Sequence, residues 1–147
     1  TGVLTGAWVV VTVASVSGHE RAQNHGRAPV VLWAMTAAAG FSLVAGWTTA
    51  VSLPLAVVLV LLWNAAIYLD SSALTAGTVQ AADKNLRGAT MGLHSMAGYT
   101  GGFLGPLGVG LMLDLFGDNA LGWGLAFGHL AAVTLTGLAV VRRLGRG

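Results

Sequence analysis

The chain has 147 residues, of which 55% are hydrophobic and 8% charged, with a formal net charge of +2. Soluble domains carry about 25% charged residues, so a chain this apolar, with a mean hydropathy of +0.77, takes the lipid bilayer as its solvent. The basic residues form no patch interleaved with aromatics, which argues against a nucleic-acid partner; the absence of cysteine excludes a disulfide framework, a thiolate metal site and a thiol redox motif.

Five long apolar segments alternate with short polar breaks and predict an all-α, polytopic transmembrane bundle of five spanning helices. The first covers about residues 2–17. It follows directly on Thr1 with no basic leader and no small-residue cleavage site, so it does not read as a signal peptide, and its shortness predicts that sequence precedes it. The second covers about 29–49, with Pro29 suited to a first helical turn. The third covers 54–82, the fourth 88–113 and the fifth 121–141. Crossing the hydrocarbon core takes about 20 apolar residues, a length the last four reach. They are apolar nearly all round rather than on one face, which sets them apart from the helices of a soluble protein.

Charge predicts the orientation. With five spans, the breaks at 18–28 and 83–87 and the tail after Val141 fall on one side. They hold all seven basic residues: Arg21, Arg27, Lys84, Arg87, Arg142, Arg143 and Arg146. The breaks at 50–53 and 114–120 hold none, and carry Asp114 and Asp118 instead. The positive-inside rule places the basic side, with the C-terminus, in the cytoplasm.

Two segments carry motifs. The first break reads Gly18-His19-Glu20-Arg21 and then Gly26-Arg27. An acid and two arginines at helix ends can pair with each other and with helix dipoles, latching two spans together. The fourth segment opens Arg87-Gly88 and runs into Gly101-Gly102-Phe103-Leu104-Gly105-Pro106-Leu107-Gly108. At about 100° per residue, Ser95, Gly98, Gly101, Gly102, Gly105 and Gly108 share one side, where small residues admit a second backbone. Pro106 removes one helix hydrogen bond and permits a bend. This predicts helix packing along that face.

Together these patterns resemble the major facilitator superfamily of transporters. The first break resembles the family's loop signature, with glutamate in place of the usual aspartate and a longer gap before Gly26. The glycine run around Gly105-Pro106 looks like the family's eleventh span, although Val109 departs from the antiporter form of the pattern. The stretch Leu69-Asp70-Ser71-Ser72 is similar to the tenth span of a bacterial branch. The resemblance covers nearly the whole chain as spans eight to twelve of twelve. It implies a secondary transporter of the inner membrane that moves a small solute, driven by a proton or solute gradient and completed by the remainder of the transporter. The same motifs also fit spans two to six of the first half. A non-transporting membrane scaffold or assembly protein, its glycine faces serving packing alone, is the alternative from another class.

Within the third segment, Asn64, Tyr68, Ser71, Thr75 and Thr78 step by four, three, four and three, and lie within about 40° of a common line. A polar stripe on a spanning helix faces a watery cavity or other helices. By the resemblance, where the tenth span lines the central pathway, Asn64, Tyr68, Ser71 and Thr75 are the candidate substrate contacts. Asp70 lies about 120° away, beside Ala66, Ala73 and Gly77. It is read either as a structural pin hydrogen-bonded to a neighbouring helix or as a carboxylate coupling a proton to transport. His94 and His129 read as interhelical hydrogen-bonding groups ahead of proton relays. The motifs of serine hydrolases, zinc peptidases and phosphate-binding loops are missing, so the sequence predicts no catalytic residue, no metal and no cofactor.

Overall fold

The computed structural model describes residues 2–144, with the side chains of residues 2–4, Ala7, His19, Gln23, His25 and Leu144 left out of account. All regular structure in that range is helical: α1 Gly2–His25, α2 Arg27–Thr48, α3 Leu53–Ala81, α4 Arg87–Phe116 and α5 Ala120–Leu144. A helix satisfies its own backbone groups, which is what a chain without water around it requires. Four of these helices, α2 to α5, are long and apolar enough to cross a membrane.

The turns between them are short and chemically defined. Gly26 alone separates α1 from α2, at φ 84°, a left-handed conformation that glycine adopts without strain. Ser52 caps α3, its hydroxyl accepting from the Leu55 N–H at 3.5 Å, with Pro54 in the first turn. Asp83 closes the turn before α4 by accepting from the Asn85 N–H at 2.8 Å. Gly117, at φ 83°, ends α4 and returns its N–H to the Leu113 carbonyl.

The first of these turns corrects the sequence reading. Residues 18–28 were expected to form a polar break, yet α1 continues through Glu20 and Arg21 to His25. Arg, Ala, Gln and Glu are good helix formers, and charge marks the end of an apolar stretch without ending the helix. The other predicted boundaries fall within three residues of those observed.

Contacts fix the directions. Gly18 and Ala22 of α1 meet Leu69 and Ala73 of α3 in the same order, so α1 and α3 run parallel. Ser42 and Trp47 of α2 meet Phe127 and Gly124 of α5 in reversed order, so α2 and α5 are antiparallel. The basic residues of the described range therefore gather at one end of the bundle, and Asp114 and Asp118 at the other; Arg146 lies outside the described residues.

α2 is the hub, packed against both α3 and α5. Its buried residues are Val30, Val31, Ala34, Ala38, Ala39, Ser42, Ala45 and Gly46. These small side chains let backbones approach closely, and van der Waals packing then holds the helices together. By contrast, α4 has no buried residue at all and touches only α5 and, lightly, α3.

Candidate functional site

The polar stripe of α3 borders two cavities. Tyr68, Ser71 and Thr75 line one of about 720 Å³, whose opposite wall comes from Ser15, Val16 and Glu20 of α1. Tyr68 and Ser71 are exposed and Thr75 is half-buried. Asn64, half-buried, lines a second cavity of about 670 Å³ toward the acidic end of the bundle, between α3 and α5. The structure thus brings three of the four stripe residues together and sets Asn64 apart from them.

Ser72 shares the first cavity but donates its hydroxyl proton to the Leu69 carbonyl at 3.2 Å. Thr75 pairs with His94 of α4 at 3.2 Å, and Thr78 lies 3.5 Å from the other ring nitrogen. The end of the stripe is therefore spent on holding α4. Glu20, which the loop signature singled out, sits on the cavity wall with no ion pair among the described residues. Once α1 is taken as helical, Val16 and Glu20 at i and i+4 share a face, and that spacing is the signal which would have found them.

The other signature residues take separate duties. Gly18 is a contact of helix α1 with α3: a Cβ there would stand 2.5 Å from the Leu69 carbonyl oxygen and 2.8 Å from Ser72 Oγ. Gly26 supplies the positive φ of the turn. Arg21 is exposed. Arg27 reaches across to α3 and donates to Gln80 Oε1, so the latch between spans is an arginine–amide bond and not the expected acid–arginine pairing. Gln80, to which the sequence assigned no role, is its partner.

Asp70 is half-buried, and its Oδ1 is fully buried with no hydrogen-bond partner among the described residues. It is not among the residues lining the Tyr68–Ser71–Thr75 cavity. The neighbouring Leu69 and Ala73 pack against Val30, Ala34 and Val31 of α2.

The expected packing face of α4 is divided. Gly105 meets the Leu130 side chain, and Gly108 makes room for the His129 imidazole, both on α5. Gly98, Gly101 and Gly102 have nothing within 4 Å of where a Cβ would stand. Pro106 lies within an uninterrupted helix, on an exposed stretch. A small-residue stripe shows that a face can take a close neighbour; which stripe has one depends on the tertiary arrangement.

Compared with family models, with curated proteins and with solved structures, the chain matches none.

Proposed function

We propose that this chain is the C-terminal part, spans eight to twelve, of a secondary transporter of the major facilitator type that moves a small solute across the inner membrane. In this reading all five helices span the bilayer and the basic end, with the C-terminus, lies in the cytoplasm. The observation that carries the reading is the cavity between Tyr68, Ser71 and Thr75 of α3 and Glu20 of α1. The Tyr68 and Ser71 hydroxyls and the Glu20 carboxylate, bordering a shared space between long apolar helices, give a polar solute somewhere to bind, and in transporters such sites form where helices of a bundle meet near the midplane. The uncovered α4 adds support, because a glycine-rich helix with no buried residue has surface left for further spans.

Cysteine accessibility tests the reading. The chain has no native cysteine to add background. In the complete protein, cysteines at Tyr68, Ser71 and Thr75 are expected to react with small hydrophilic thiol reagents, and transported solutes to protect them. An inert stripe, with modification at Leu62 instead, would remove the pathway from this face and favour a scaffold role.

A further inference from the structure

The second cavity, at the acidic end, has a wall and rim of specific chemistry. Its body is apolar, formed by Val57, Val60 and Leu61 of α3 and by Trp123 and Phe127 of α5. Phe127 is gripped by two indoles, edge-on to Trp63 at 5.7 Å between ring centroids and tilted against Trp123 at 6.3 Å. Pockets of several hundred Å³ with such walls suit small organic molecules.

The polar groups are few, and the one charged group among them is an acid. At the rim, Asp118 sits in a braced turn. Asn119 accepts from the N–H groups of Leu121 at 2.9 Å and Gly122 at 3.2 Å, and donates to the Phe116 carbonyl at 2.8 Å, tying α4 to α5 on both sides of the acid. The Asp118 Oδ1 accepts from Trp123 Nε1 at 2.7 Å, which fixes the carboxylate beside the indole. Its other oxygen has no protein donor among the described residues. Deeper in, Asn64 donates one of its two amide hydrogens to its own helix at the Val60 carbonyl, 3.4 Å, leaving its side-chain oxygen and its second N–H for a ligand. No lysine, arginine or histidine lines the cavity.

We propose that this cavity binds a monovalent organic cation with an apolar body, its charge held by the Asp118 carboxylate at the rim and its body laid along Trp123, Val57, Val60 and Phe127. A carboxylate at the mouth of an apolar cavity attracts a cation by charge, while the walls take up its apolar body. A zwitterionic phospholipid fits less well, because its phosphate would meet a carboxylate and no basic group. The site lies on the opposite half of α3 from the Tyr68 cavity and holds whether or not the chain belongs to a transporter.

The test uses the purified full chain in a neutral detergent, with empty micelles subtracted, and two probes of one shape and opposite charge. Tetraphenylphosphonium is expected to bind at least about tenfold more tightly than tetraphenylborate. Asp118→Asn keeps a carbonyl for the Trp123 bond and removes the charge; it should weaken phosphonium binding about tenfold and leave borate binding as it was. Val57→Trp fills the cavity and should abolish phosphonium binding. Equal affinity for the two ions overturns the proposal, and needs no variant to be measured. Phosphonium binding untouched by both substitutions, or a co-purified phospholipid that phosphonium cannot displace, overturns it as well.

Discussion

The imidazole Nε2 of His94 lies 3.2 Å from the Thr75 hydroxyl and joins α4 to α3. The surrounding bonds assign its proton. Thr78 donates its hydroxyl hydrogen to the Leu74 carbonyl at 2.9 Å, so toward His94 Nδ1 its oxygen can only accept. The ring then carries hydrogen on Nδ1, and Nε2 accepts from Thr75. Because α4 meets α3 only lightly, this pair of bonds carries much of their contact. A double-mutant cycle of Thr75→Ala and His94→Ala should give a coupling of about 0.6–1.7 kcal/mol, the range for interhelical hydrogen bonds in membranes. Additive effects of the two substitutions would mean the bond contributes nothing.

Glycines of α2 and α4 should respond in opposite ways to alanine. A Cβ on Gly46 would stand 2.6 Å from the Trp123 carbonyl oxygen and 3.0 Å from the Gly124 Cα, so α2 and α5 must separate to admit it. We expect Gly46→Ala to destabilise the chain by about 1–3 kcal/mol. Ser42→Ala, which removes the buried bond to the Phe127 carbonyl at 2.8 Å, should cost about 0.6–1.7 kcal/mol. Gly101→Ala meets open space and should be neutral or gain up to about 1 kcal/mol of helix propensity. Denaturant unfolding in mixed micelles measures all three. A tolerated Gly46→Ala with a failing Gly101→Ala would return the packing role to α4.

This contrast shows what the sequence could carry. Helices were legible because apolar length and the punctuation by Ser52, Pro54, Asp83 and Gly117 are local properties. The hub was not. The buried face of α2, Ala34, Ala38, Ser42 and Ala45, has a similar spacing of small residues, three and four apart, to the α4 face and no motif to mark it. Which of two similar stripes finds a partner is decided by long-range packing, which no window of sequence contains. The stripe of α3 was read from spacing alone, but its division between two cavities depends on where α1 and α5 lie. Glu20 went to a loop because charge was taken as the end of a helix.

Topology gives an independent check. In intact cells, a cysteine at Asn24 or Asn85, both exposed at the basic end, should resist an impermeant thiol reagent. Ala50, exposed in the turn between α2 and α3, reports on the opposite end. A cysteine at Ala50 should react. Labelling at Asn85 with protection at Ala50 would reverse the orientation.

Asp70 decides the last question, because a carboxylate in the middle of a spanning helix costs about 2.5–3.5 kcal/mol on insertion scales unless something offsets it. Counting about 1.5 Å per residue, it lies roughly 24 Å from Pro54 and 18 Å from Ala82, well inside the apolar span. Within the described chain no donor reaches its buried Oδ1. Removing an unpartnered buried polar group relieves its desolvation cost, so Asp70→Ala should stabilise the isolated chain by about 1–3 kcal/mol. A carboxylate at such a cost calls for a partner, water access or a proton. Asp70 is not among the residues lining the Tyr68 cavity, and this chain already covers its Oδ1, so a structural role within the bundle is favoured over contact with solute. Asp70→Asn keeps the shape and hydrogen-bonding capacity but cannot titrate. If the chain is part of a transporter as proposed, that variant should fold and retain part of the gradient-driven uptake. If uphill accumulation disappears while exchange of solute across the membrane survives, Asp70 carries the coupling proton instead. If Asp70→Ala destabilises the isolated chain, the missing partner lies within it.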